Sequence, residues 1–252
     1  MNLRSLRRDR AARTGPELFL HERAYEDCVE RLTLMQCRFG RALFIGCPDP
    51  KWPARLLALV DNVEVRDPGP LFASAADGET ITEDHWHPPQ QNYDLILALG
   101  TLDTINNLPL ALQLLRYALR PGALLIGALS GGDTVPELRK AMRAADAVAG
   151  VAAPHVHPRI EASALAALLA DAGFSNPVID VDRVPVSYAS LDRLVADLRA
   201  MGTTNVLAER SRFMGRRARA AATAAFANAG QDKRTIETFE VLHFVGWAAN
   251  KG

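Results

Sequence analysis

Three short apolar runs constrain this chain most: Arg41-Ala-Leu-Phe-Ile-Gly46, Tyr93 to Leu99, and Ala123 to Ser130 before Gly131-Gly132. Runs this short with little polar alternation, bounded by glycine, are strands buried on both faces, which belong to parallel sheets with helices on either side. The segments between them carry helical spacing. Leu108, Ala111, Leu112, Leu115 and Leu119 share one face over 107–119, and Arg120-Pro121-Gly122 stops that helix. Leu18, Tyr25, Val29, Leu32 and Met35 predict a helix over 16–37. Asp49-Pro50 predicts another over 51–60, because Asp caps a first turn and Pro suits its first position. Strands alternating with amphipathic helices imply a doubly wound α/β sheet.

Further strands are expected at Val63-Glu-Val65 and Thr80 to Thr82, the second inside a long polar loop over 67–92. Asp133 or Thr134, followed by Glu137, forms a capping-like opening for a helix with Leu138, Ala141, Met142 and Ala145 inward. The last hundred residues predict helices over 161–172, 190–201 and 206–227, framed by strands at 176–184 and 238–247. The final strand should run antiparallel at or near the sheet edge, since no helix follows it. The organisation expected is a basic arm over 1–15 and a single domain over 16–252.

The chain has 252 residues, enough for a sizeable core, with 48% hydrophobic and 23% charged residues, which excludes intrinsic disorder. Lys+Arg and Asp+Glu are both 29, a balance that argues against a nucleic-acid binder. The longest apolar runs fall far short of the ~20 residues of a membrane helix, so no transmembrane segment is expected. Cys28, Cys37 and Cys47 follow no metal or redox spacing, so no metal is expected and a reduced compartment is the default. Met1 to Arg13 holds five Arg against Asp9. It reads as an exposed basic arm, as a contact with an acidic partner or phosphate, or as the start of a transit peptide. A cytoplasmic setting is expected first and the mitochondrial matrix second.

Asp94-Leu-Ile-Leu-Ala-Leu, Leu119-Arg-Pro-Gly-Ala, Gly131-Gly-Asp-Thr-Val-Pro-Glu-Leu-Arg139, Pro154-His-Val-His-Pro158, Asp171-Ala-Gly-Phe174, Asp197-Leu-Arg-Ala-Met-Gly202 and Gly246-Trp247 run through the chain. On these residues the sequence resembles the class I S-adenosylmethionine (SAM) dependent methyltransferases. It is similar to the branch holding the malonyl-carrier-protein O-methyltransferases and, more closely, the mitochondrial complex I assembly factor of methyltransferase fold. The resemblance implies a Rossmann-like fold with a seven-stranded, mostly parallel sheet, one antiparallel strand and helical C-terminal insertions. SAM would lie across the carboxyl ends of the central strands, where an open α/β sheet binds its ligands.

The resemblance carries over residue by residue. Gly46 matches the first glycine of the cofactor loop, but Cys47-Pro-Asp-Pro50 stands where further glycines belong, and Pro48 and Pro50 have no N–H to donate. SAM is therefore expected to bind weakly or not at all. Asp49 reads as a helix cap or as a ligand of the cofactor amine. Asp67 matches the acid that accepts from both ribose hydroxyls, a task suited to an acceptor-only group, or it is a turn residue before Pro68. Glu83 or Asp84 falls where an acid approaches the adenine amino group, and Ala98 to Thr101, with Gly100, should line the floor. Asp103 and Thr104 replace a His-Trp pair common in relatives.

Methyl transfer is an in-line displacement, so alignment matters more than any one group. The catalytic candidates are Asp133 and Thr134, which would position a substrate guanidinium or amine unless they only cap a helix, and His155. His157 joins His155 in a Pro-bounded loop, and Arg139 and Arg199 are anion-binding or surface-covering residues. Asp133, with Asp180 and Asp182 at the rim, is a further candidate for holding a basic client. The expected function is a SAM-dependent methyltransferase-like protein acting on a protein substrate, such as a respiratory complex I subunit. The alternatives are a non-catalytic assembly protein with a degenerate SAM site, or an arginine hydroxylase on the same fold.

Overall fold

The computed structural model describes residues 3–209 and 214–249. The chain runs α1 (Leu3–Thr14), α2 (Phe19–Leu34), β1 (Phe39–Ile45), α3 (Trp52–Leu56), β2 (Val60–Asp67), α4 (Pro70–Ala75), β3 (Glu79–Thr80) and β4 (Tyr93–Leu99). It continues with α5 (Leu108–Ala118), β5 (Leu119–Ser130), α6 (Pro136–Ala149), α7 (Ala162–Asp171), β6 (Phe174–Tyr188), α8 (Leu191–Ala200), α9 (Arg216–Asn228) and β7 (Thr235–Ala248). The strands form one seven-stranded sheet in the order β3-β2-β1-β4-β5-β7-β6. Strand β7 runs antiparallel to both neighbours, and the pairs among β1 to β5 are parallel. This is the expected Rossmann-like arrangement.

Period-two alternation distributes the central strands between two cores. Leu43, Ile45, Ile96 and Leu125 face α5 and α7, where Leu112, Leu115, Leu165 and Leu169 are fully buried. Ala42, Phe44, Leu95 and Ile126 face α2 and α3. There Tyr25 stacks on Trp52 at 4.6 Å and 6°, and its hydroxyl donates to the Trp52 carbonyl at 2.9 Å. A third core joins α6, α8 and α9 to Tyr188 and Phe239; small residues Ala141, Ala145, Ala218 and Ala222 are buried within it. Strands β1 to β5 run the same way, but successive strands step outward from β1 to β2 and β3 on one side and to β4 and β5 on the other, so the loops after β1 and β4 diverge and leave a crevice at the carboxyl ends.

Several local expectations are corrected. Helix α3 ends at Leu56, because the chain is needed as strand from Val60 onward. Asp49 is not a helix cap: its Oδ1 accepts from Lys51 N at 2.9 Å within a tight turn. Strand β7 lies near the edge, as expected, but the edge itself is β6, paired with it out to Tyr188 and Thr235. Helix α9 starts at Arg216 rather than 206, and 210–213 lie outside the described residues, as do 1–2 and 250–252 at the ends of the expected arm and domain.

Asp133 and Thr134 do not cap α6. The chain enters it through Val135 at φ 53°, a left-handed conformation that is costly for a β-branched residue, and Pro136 takes the first position. The free amides of Glu137 and Leu138 donate instead to the Glu237 carboxylate at 3.2 and 2.8 Å. Among the described residues no helix is long and apolar enough to cross a membrane.

The stacked Trp52 is 1% exposed. Trp52→Ala should lower stability by about 3–5 kcal/mol, the usual cost of removing a large aromatic side chain from a core. Urea denaturation would register this as a lower midpoint with an unchanged slope.

Candidate active site

At the end of β2, Asp67 is fully buried, and so is Glu83 in the loop after β3. Both sit where the sequence places the nucleoside acids. Their partners come from the segment expected to be an exposed arm. Arg4 and Arg8 lie four residues apart and therefore on one face of α1; they are only 7% and 5% exposed. Arg8 donates from Nε and Nη2 to the two Asp67 oxygens at 2.6 and 2.5 Å and lies 5.1 Å over the Phe72 ring. Arg4 forks onto both Glu83 oxygens and also donates to the Thr101 carbonyl at 2.7 Å and Thr104 Oγ1 at 2.9 Å. Asp67 Oδ1 also accepts from Gly69 N at 2.7 Å.

The closeness of α1 depends on Gly69, since a Cβ there would stand 2.7 Å from Arg8 Cβ. Asp9, on the same helix, accepts from Leu71 N at 3.1 Å and fastens α1 to the start of α4. The acidic partner of the basic segment is therefore the protein itself.

The loop after β1 is equally unlike a glycine-rich turn. Gly46 takes φ +82°, and a Cβ there would meet the Leu99 carbonyl oxygen at 2.1 Å. No residue of 47–50 has positive φ. Cys47 is buried, and burial pushes its thiol pKa up. In this arrangement the pocket does not fit an adenosine cofactor. The hydrogen bonds a ribose would make to Asp67 are made by Arg8, and Pro48 and Pro50 supply no amide for the rest of the ligand.

Beside this pocket a cavity of about 930 Å³ opens between the carboxyl ends of β4 and β5 and the third core. Its polar wall contains His21, Asp103, His157 and Arg159, and its apolar wall contains Leu138 and Phe239. Arg159 and Asp103 form a buried ion pair, with side chains 4% and 3% exposed. His21 packs against Gly100 so closely that a Cβ on that glycine would stand 2.9 Å from His21 Nε2. Burial and then the Arg8 charge lower its pKa to about 4, so the ring is neutral at pH 7. His21 Nδ1, Asp103 Oδ1 and Arg159 Nε find no hydrogen-bond partner among the described residues, although all are shielded from solvent. Buried polar atoms left unpaired are costly, and these three lie closed off from solvent behind the cavity wall.

The remaining candidates divide. Ala98 and Gly100 lie at the end of β4 and just beyond it, as expected, and Gly100 lines the cavity. Asp84 is a loop anchor, accepting from Asn107 N at 3.1 Å. Thr134 lines the cavity, but its hydroxyl is used internally, donating to the Glu240 carbonyl at 2.9 Å and accepting from Glu240 N at 3.0 Å. Asp133 has a side chain 71% exposed, 3.5 Å from Arg183. His155 is held through Nε2 by Asp146 at 2.7 Å, at the cavity mouth. His157 Nδ1 is 3.4 Å from Asn205 Oδ1, and burial lowers its pKa. Asp180 and Asp182 pair with Arg31 and Arg23, each at 2.6 Å. Arg4, Arg8, His21 and Arg159 were not identified from sequence. The only signal for the first two was the four-residue spacing in the basic start.

Two measurements follow. Because the folded His21 pKa lies below its ordinary 6.5, the unfolded chain binds the extra proton and stability falls as pH drops from about 6.5 to 4. Over that window wild type should lose about 3 kcal/mol more than His21→Gln, at about 1.4 kcal/mol per pH unit, in urea titrations at each pH. Asp103→Ala should cost about 3–5 kcal/mol at pH 7, because it leaves the Arg159 charge buried and unpaired.

A methyltransferase-domain family model matches residues 19–177. The chain is 32% identical over 171 residues to the mouse protein named arginine-hydroxylase NDUFAF5, mitochondrial, covering 66% of this chain and 50% of that one. It is 39% identical over 157 residues to the malonyl-[acyl-carrier protein] O-methyltransferase of Xylella fastidiosa, covering 62% and 52%. The chain thus spans about half the length of these curated relatives. Among solved structures, the YcgJ protein of Bacillus subtilis superposes with a TM-score of 0.62 at 10% identity, over 90% of this chain and 99% of that one. Phosphoethanolamine N-methyltransferase 2 of Haemonchus contortus, solved in complex with SAM, gives 0.55 at 11%, over 90% and 52%. Sheet order, strand sense and the matched family model agree: the chain belongs to the methyltransferase-domain family.

Proposed function

We propose that this chain is a SAM-dependent methyltransferase-like protein acting on a protein substrate, in the assembly of respiratory complex I. The observation that carries the reading is the cavity beside Gly100, with the neutral His21 and the Arg159–Asp103 pair in its polar wall. A cavity of about 930 Å³ has room for a peptide side chain or short segment, with Leu138 and Phe239 to receive its apolar part. The relatives named arginine-hydroxylase and malonyl-[acyl-carrier protein] O-methyltransferase support a carrier or protein client. A bacterial cytoplasm, or the matrix that corresponds to it, is the setting we propose.

The second reading, a non-catalytic assembly protein, is favoured by a specific observation. Both nucleoside acids are engaged by Arg4 and Arg8, and the cofactor loop lacks donors. The two readings separate in one experiment. Purified chain is incubated with methyl-labelled SAM and a lysate of cells lacking the chain, and the protein fraction is counted and analysed by mass spectrometry. The expected result is label in a discrete protein, reduced at least tenfold with Arg159→Ala, whose loss removes one side of the polar wall. A client retained on the chain without label favours the second reading, and addition of one oxygen to an arginine favours hydroxylation.

A further inference from the structure

The disagreement between the nucleoside pocket and its expected ligand is the observation that reaches furthest. We propose that the pocket is a guanidinium site whose resident ligand is the chain's own α1, and that an adenosine nucleoside enters only by displacing that helix. The inference rests on the methyltransferase-like reading for the identity of the competing ligand. Its other half, the docked helix, stands on geometry alone.

Three features mark a built site. Each carboxylate is fully buried and receives a forked guanidinium, the geometry in which planar, bidentate recognition is strongest. The two sockets match the four-residue spacing of one helix face, so Arg4 and Arg8 enter together or not at all. The approach is shaped for the helix: Gly69 makes room for Arg8 Cβ, Phe72 lies under its guanidinium, and Leu71 N binds Asp9. A ribose cannot reach Asp67 while Arg8 holds both its oxygens, and Glu83 is closed in the same way. Displacement moves both guanidinium groups to water and leaves the acids to neutral hydroxyl and amino donors. The pocket therefore gives up charge compensation when the helix leaves, and the docked state is the resting one. A binding-competent fraction below one-tenth weakens the apparent affinity more than tenfold.

The test uses the full chain and S-adenosylhomocysteine as the probe. Its affinity is measured by calorimetry for wild type, for Arg4→Ala/Arg8→Ala, and for Asp9→Ala. The last loosens α1 without touching the pocket acids and covers the case in which the double variant does not fold. Hydrogen exchange of the amides over 4–14 is followed with and without the probe. The expected result is an affinity at least tenfold tighter in the double variant, a smaller gain in Asp9→Ala, and faster α1 exchange in wild type when the probe is bound. Equal affinity in all three chains, with α1 exchange unchanged by the probe, overturns the competition and leaves the methyltransferase-like reading standing. No binding to any of the three overturns the competition and removes the support for a SAM-dependent reaction.

Discussion

Two carboxylates at the carboxyl end of a parallel sheet are buried completely, and a buried charge without a partner costs several kcal/mol. Much of the N-terminal third is arranged to meet that demand. Helix α1 lies where it does because Arg8 must reach Asp67 and Arg4 must reach Glu83. Its end then delivers the chain to α2, which brings His21 against Gly100. Gly69 is required because the helix comes so close, and Asp9 holds the helix down on α4.

The cavity next to it obeys the same electrostatics with a different outcome. Arg159 and Asp103 compensate each other, yet one polar atom of each is left over, together with Nδ1 of His21. His21 stands between the two systems. The Arg8 charge adds to burial in keeping it neutral, while Asp103 acts in the opposite sense. Gly100 makes this neighbourhood possible, since any side chain there would meet the ring.

The sheet was legible because its signal is local: apolar runs over 41–46, 93–99 and 123–130 can only be strands buried on both faces. Asp67, and Glu83 or Asp84, stood out only through the family resemblance, as acids for a nucleoside. What could not be read was the company they keep. Arg8 and Asp67 are 59 residues apart, and Arg4 and Glu83 are 79 apart, with no periodicity linking them. The cap of α6 failed for the same reason. Asp133 and Thr134 have the right chemistry at the right spacing, but Glu237, 99 residues beyond Leu138, reaches the amides first. The length of β6 escaped because a strand paired on one side alternates polar and apolar residues to its end, and Asp180 and Asp182 resemble a solvated face until Arg31 and Arg23 cover them.

Helix α1 is joined to α2 only by residues 15–18, with Gly15 at φ +87°. A ligand held on so short a tether has an effective concentration set by the linker, on the order of millimolar or above, and independent of how much protein is present. Dilution therefore does not empty the two sockets. Occupancy instead follows whatever acts on the tether or the carboxylates: ionic strength in the open state, a change of charge in α1, or cleavage after Thr14. The covalent chain thus converts two ordinary ion pairs into a property of each single molecule.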